Sequence, residues 1–149
     1  MLKLSIIIPV YNVEEYIARC LDSVVDYGRA CISSGQEPGY EVIIVNDGTQ
    51  DASAEIAGKY VTACPGFVRM ISIENSGQGQ ARNVGMDAAA GEFLYFLDSD
   101  DYLAPGAMER LLSLTDRDFD ICIFDSIAVN TLGRELEYRP GCKRTEKLS

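Results

Sequence analysis

Asp98-Ser99-Asp100-Asp101 places three carboxylates within four residues, directly after the apolar run Phe93 to Leu97. Like charges this close repel one another, and a divalent cation relieves the repulsion by accepting hard oxygen ligands. Mg2+ or Mn2+ held there would also bridge the oxygens of a diphosphate. The plainer alternative is a solvated acidic turn capping a helix that opens near Pro105. Asp47 lies in Asn46-Asp47-Gly48, where turn chemistry alone favours an aspartate, although its carboxylate could accept a hydrogen bond from a base imide or a ribose hydroxyl. Tyr11 either packs in a core or offers its ring face to a base. Arg82, a few residues after Gly77-Gln78-Gly79, is either a solvated charge or the countercharge of a pyrophosphate.

Composition narrows this chemistry. The chain has 149 residues and no histidine, which removes the usual general base, the Ser/His/Asp arrangement and every His-based metal site. Carboxylates must therefore carry any reaction. Cys20, Cys31, Cys64, Cys122 and Cys142 are widely spaced and form no C-x-x-C pair, so neither a disulfide framework nor a zinc site is expected and a reducing, cytoplasmic setting is. Thirteen basic against 23 acidic residues leave a net charge of −10, which repels a polyphosphate backbone and argues against a nucleic-acid partner. A phosphorylated ligand would need a cation or aligned backbone amides. No apolar run approaches the ~20 residues of a transmembrane helix, and no signal-peptide pattern follows Met1-Leu2-Lys3. Attachment to the inner surface of a membrane stays open.

Elements must gather these residues. Leu4 to Val10 and Glu41 to Val45 read as strands buried on both faces, Phe67 to Ile73 and Phe93 to Leu97 as further strands. Between them, apolar positions from Val13 to Val25 recur at helical spacing, Asp51 is placed to cap a second helix, and Gln80 to Ala90 predicts a third, stopped by Gly91. Pro105 is placed to open a short helix through Leu114, and Phe119 to Val129 predicts a strand paired with Glu135 to Arg139. The alternation predicts a three-layer α/β/α fold with a mostly parallel sheet, one domain over residues 1–149. In such sheets ligands bind beyond the carboxyl ends of the strands, where the unusual residues of this chain lie. A dinucleotide fingerprint fails because Arg82 stands at its third glycine, and neither a P-loop nor a nucleophile elbow occurs.

Together Ser5-Ile6-Ile7-Ile8-Pro9-Val10-Tyr11-Asn12, Glu41 to Thr49, Gly77 to Gly85 and Phe96-Leu97-Asp98-Ser99-Asp100-Asp101 resemble a family 2 glycosyltransferase with the GT-A fold, in the family's order and spacing. The resemblance implies a nucleotide-diphosphate-sugar donor, usually a uridine one, a divalent metal (Mg2+ or Mn2+), and inverting transfer of the sugar to a hydroxyl of a sugar or glycolipid acceptor. It matches Tyr11 to the aromatic beside the base, Asp47 to the carboxylate that bonds uracil, and Arg82 to the basic position near base and diphosphate. Asp98 and Asp100 match the two acids of the D-x-D motif, Asp98 near the ribose and the metal, Asp100 as the direct metal ligand. Pro9, Val10 and Glu14 would line the same cleft.

In the family a catalytic carboxylate lies well downstream of the D-x-D motif. Here roughly fifty residues follow Asp100, ending in the polar stretch Lys143 to Ser149. No base is assigned, and the chain is expected to be a nucleotide-sugar-binding domain truncated on its acceptor side and inactive alone. Apolar surface left open by the missing half would favour homo-oligomers. The alternatives are a nucleotidyltransferase of related fold, which would want a Gly-rich basic loop where Tyr11-Asn12-Val13-Glu14-Glu15 stands, and a noncatalytic nucleotide-sugar-binding module.

Overall fold

β1, Leu4–Val10, is buried at every position, as a mostly apolar strand centred on Ile6-Ile7-Ile8 is when helices cover both faces of its sheet. β2, Tyr40–Asp47, is nearly as buried and pairs with β1 in parallel from Leu4↔Tyr40 to Val10↔Asn46. β3, Val68–Ile73, flanks β2, and β4, Phe93–Phe96, flanks β1, both in parallel, giving the order β3-β2-β1-β4. The structure, a computed structural model, describes residues 2–117, 120–130 and 135–139. It contains two compact units, Met1–Asp116 and Arg117–Ser149, and the parallel sheet belongs to the first.

Alternation along the strands sorts the side chains into two layers. Leu4, Ile6, Ile8 and Val10 pack with Tyr40, Val42 and Ile44 against α1 (Ile17–Ser33), α2 (Ser53–Ala63) and α4 (Ala107–Leu114). α1 contributes Ile17, Cys20, Leu21, Val24, Val25, Gly28 and Cys31, the three-and-four spacing of one face. Each large side chain buried there stabilises the fold by roughly 1.5–3 kcal/mol. On the opposite face Ile43 and Val45 meet Ala81 and Val84 of α3 (Gln78–Ala88). The α/β/α layering and the parallel sheet are as the sequence predicts. Among the described helices of this unit only α3 covers that face, because the chain, after stepping outward from β1 to β3, must cross back over the sheet to reach β4. It stands so close to β1 that a Cβ on Gly85 would come within 2.3 Å of Ile7 Cγ2. α3 packs over β1 and β2, and Leu94 and Phe96 of β4 are left 43% and 39% exposed.

Several boundaries differ from the sequence reading. α1 begins at Ile17, because Val13 to Tyr16 forms a separate turn closed by Tyr16 N–H and Ile17 N–H on the Val13 carbonyl, and it runs eight residues past Val25. α3 spans Gln78–Ala88 instead of Gln80 to Ala90. Its end is fixed by the Glu41 carboxylate, which accepts Ala90 N–H at 2.8 Å, and by Gly91, where a Cβ would stand 2.6 Å from the backbone of Leu4 and Ser5. Pro105 lies in the turn before α4 and does not open it; Gly106, at φ 78°, precedes the first helical residue. Asp51 is not the N-cap of α2: Ala52 is, and the cap bonds arrive from Asp51 one residue earlier and from Glu14.

In the second unit β5 is Ser126–Val129 and not Phe119 to Val129; residues 121–125 are irregular, and Phe119 lies outside the described residues. β5 pairs in antiparallel fashion with β6, Glu135–Arg139, as expected. Cys20, Cys31, Cys64 and Cys122 are free thiols, and Cys142 lies outside the described residues. Among the described residues no helix is long and apolar enough to cross a membrane.

Candidate functional site

Because the four strands are parallel, Tyr11, Asp47, Asn75 to Gly77 and Asp98 to Asp101 all leave the sheet at one edge. The chain reverses its direction of strand addition between β1 and β4, and there the loops diverge into the crevice in which open α/β sheets hold ligands. Tyr11 and Asp98 stand on either side of that divide.

On the β2 side, Asp47 is buried, 3% exposed. Its Oδ1 accepts Ser76 N–H at 2.7 Å and its Oδ2 accepts Gly77 N–H at 2.9 Å. The loop into α3 is thereby tied to the end of β2. Gly48 must be glycine for this: at φ 68° a Cβ would lie 2.8 Å from Asn75 N. Register places Tyr11 beside Asp47, since Val10 pairs with Asn46, and the Tyr11 side chain is 46% exposed. Pro9 is buried opposite Val45, one pair below the edge. Its missing N–H costs no ladder bond on the β4 side, because the Ile7 carbonyl accepts Leu97 N–H and β4 has already ended. Val10 points into the core against α1. Glu14 is exposed but engaged, its Oε2 accepting Ala52 N–H at 2.8 Å.

On the β4 side, Asp98 Oδ1 accepts from Arg82 Nη2 at 2.5 Å and from Gln78 Nε2 at 3.2 Å. Arg82 is one-third exposed, and its Nε is buried without a hydrogen-bond partner among the described residues. From the other direction α1 holds the acidic loop: Cys20 Sγ lies 3.7 Å from the Asp98 carbonyl, the Arg19 guanidinium lies 3.6 Å above the Tyr102 ring, and Ser23 Oγ accepts Leu103 N–H at 3.0 Å. The acids feel one another. Burial and then the charges of Asp100 and Asp98 push the Asp101 carboxyl up, and burial followed by Asp101, Asp100 and Asp98 pushes the Cys20 thiol up, keeping it protonated. Asp100 itself is exposed.

These donors fit a hard divalent cation in oxygen type and in charge. Among the described residues no group of three or more His, Cys, Asp or Glu side chains is placed to hold a metal ion by itself. Two carboxylates on an open edge instead suit Mg2+ or Mn2+, which keep several positions for water and substrate phosphates. Gln78, Asn12, Thr49 and Asp51 were not singled out by sequence as site residues. Gln78 sat in plain view inside the glycine-flanked loop; the other three act on one another across two loops, which no local pattern reports.

A model of the family described as glycosyl transferase family 2 matches residues 5–147. The chain belongs to glycosyl transferase family 2. Among members of that family, the uncharacterised glycosyltransferase EpsJ of Bacillus subtilis is 42% identical over 107 residues, covering 72% of this chain and 28% of EpsJ. The poly(ribitol-phosphate) beta-N-acetylglucosaminyltransferase TarS of Staphylococcus aureus is 31% identical over 136 residues, 89% of this chain and 22% of TarS. The chain therefore spans less than a third of the length of these relatives. TarS residues 1–349, solved in complex with UDP and with UDP-GlcNAc, superimpose with a TM-score of 0.63 over 76% of this chain and about a third of that one. The Pyrobaculum calidifontis mannosyltransferase PcManGT, solved with GDP-Man and Mn2+, is 19% identical and gives 0.63 over 86% of this chain and 36% of its own, a likeness of fold. The glycosyl transferase family 2 fold here is thus of the GT-A type.

Proposed function

We propose that this chain binds the nucleotide-diphosphate sugar of an inverting glycosyltransferase, a UDP-sugar, and presents it for transfer to a hydroxyl of a sugar or glycolipid acceptor. One observation carries the reading: a single sheet edge gathers an aromatic face at Tyr11, a buried acceptor at Asp47, a cation at Arg82 and a line of carboxylates from Asp98 to Asp101. Those are the chemical complements of a base, its imide, a diphosphate and a divalent metal. TarS, bound to UDP and UDP-GlcNAc and 31% identical, supports the uridine choice. The loop after β1 is glycine-free and braced by Asn12, so it offers no phosphate cradle of the kind nucleotidyl transfer would use.

In this reading Tyr11 covers the base, Pro9 floors the pocket, and Asp47 accepts from the uracil imide with the lone pairs its two backbone partners leave free. Asp98, oriented by Arg82 and Gln78, faces the ribose and shares the cation with Asp100. Arg82 turns its remaining guanidinium donors to the diphosphate. A bound Mg2+ or Mn2+ would supply positive charge against the negative charge developing on the leaving diphosphate. Calorimetry of UDP with and without Mn2+ tests the proposal. Mn2+ should tighten binding about tenfold or more, and Asp100→Asn should erase that gain while changing stability by no more than about 0.5 kcal/mol, since the side chain is exposed. Equal UDP affinity with and without the metal in the wild type would sink it.

A further inference from the structure

The turns that leave β1 and β2 are hydrogen-bonded to each other. Asn12 stands at φ 51°, the one non-glycine at positive φ among the described residues. That conformation costs on the order of 1 kcal/mol unless its surroundings hold it. Its N–H donates to Thr49 Oγ1 at 2.8 Å, and its Oδ1 accepts Gln50 N–H at 2.9 Å. The single proton of the Thr49 hydroxyl has two acceptors in reach, Asn12 Oδ1 at 3.0 Å and Asp51 Oδ1 at 2.7 Å, and the nearer, charged one takes it. Asp51 Oδ1 also accepts Ser53 N–H at 2.9 Å, while its Oδ2 accepts Glu14 N–H at 3.0 Å. Val13 N–H closes the set on Ser53 Oγ at 2.9 Å. What desolvation the Asp51 carboxylate suffers raises its pKa, but the bonds from Ser53, Thr49 and Glu14 outweigh it and hold the group well below the usual carboxylate range.

Tyr11 is the one residue between the end of β1 and this clasp, and it leaves the sheet beside Asp47. We propose that Asp51 is a positioning residue for nucleoside recognition: through Thr49 and Glu14 it fixes the backbone that follows Tyr11, so that the ring is held ready beside Asp47 for a flat pyrimidine base. This rests on the functional reading above and assigns the clasp to one end of the ligand only. The clasp joins the β1 and β2 turns, whereas Asp98 to Asp101 follow β4 on the other side of β1, where Arg82 of α3 reaches Asp98. An aspartate is required at position 51 because three donors converge on it and one reaches the second oxygen, which an asparagine amide group cannot receive.

The test compares two probes on the full chain, uridine without metal and pyrophosphate with Mn2+, by calorimetry. Asp51→Asn should weaken uridine about tenfold, the loss of one charge-assisted bond and its ordering, while the affinity for Mn2+ and pyrophosphate stays within about twofold of wild type. Thr49→Val, which keeps the carboxylate and removes the hydroxyl that links it to Asn12, should shift the same ratio in the same direction, so the proposal does not depend on Asp51→Asn folding well. Equal losses for both probes in these variants would assign the clasp a merely structural role and overturn the proposal. So would undiminished uridine binding. A wild-type chain that binds neither probe would instead overturn the functional reading itself, and this proposal with it.

Discussion

In the proposed function Asp47 joins ligand recognition to local folding at one carboxylate. With 3% exposure, most of its surroundings are protein, and each oxygen already holds one backbone N–H, from Ser76 and from Gly77. Removing the side chain strands both donors, although the exposure of Ser76 and Gly77 lets water recover part of the loss. Asp47→Ala should therefore lower stability by about 1–3 kcal/mol in a denaturant titration. It should also weaken uridine about tenfold in metal-free calorimetry if the spare lone pairs serve the imide, a contact of about 1.4 kcal/mol. Uridine affinity that survives the substitution, with stability reduced, would leave Asp47 as a clamp on the loop and nothing more. Arg82 and Asp98 pose a different case, since their partners are each other: neither is a free charge before ligand arrives, and recognition there rearranges an existing pair.

At the scale of elements, the end of the sheet opposite the site is held by a buried carboxylate. Glu41, at the start of β2, accepts from Ser5 Oγ at 2.7 Å, from Ala90 N–H at 2.8 Å and from Arg69 at 3.0 Å, so one side chain ties β1, β2, β3 and the exit of α3 together. Burial raises its pKa, but the bonds from Ala90, Ser5 and Arg69 outweigh burial and the net displacement is downward. A depressed folded pKa contributes stability that is complete above the unfolded value near 4.3 and is lost as pH falls through the folded value. Glu41→Gln should cost about 1–3 kcal/mol at pH 6, and the gap to wild type should shrink by pH 3; a gap that stays constant between those two pH values would refute the linkage. The same residue shows where sequence reading stops. The apolar runs made β1 and β2 legible, because burial on both faces leaves its mark residue by residue, and the strand ends named the candidate site residues that the parallel sheet gathers at one edge. Where α3 would begin and end was not legible to the residue, since Asp47 and Glu41 on β2 and Ser5 on β1 help to set those limits from far along the chain. Asp51 was visible as a capping residue, but its second oxygen and its tie to Glu14 depend on a loop 37 residues away.

For the molecule as a whole, charge sets how a ligand approaches. The chain carries −10 overall, and Asp47, Asp98, Asp100 and Asp101 stand at the edge to which, on the proposed function, an anionic nucleoside diphosphate comes, with Arg82 already paired to Asp98. On the proposed function the approach is repulsive without metal and is bridged by a divalent cation. Salt acts on these two situations with opposite sign. The screening length falls from about 30 Å at 0.01 M to about 8 Å at 0.15 M, so added salt relieves the repulsion felt by metal-free UDP and weakens the attraction between the acids and a cation. Raising NaCl across that range should tighten metal-free UDP binding by a factor of about 2–3 and loosen binding in the presence of Mn2+ by a similar or larger factor. Calorimetric titrations at three salt concentrations, with and without Mn2+, would show two lines of opposite slope. Metal-free affinity that falls with salt would mean that Arg82, free of Asp98, dominates the field at the site. In that event the pairing of these two side chains, and the order in which cation and nucleotide enter, would have to be redrawn.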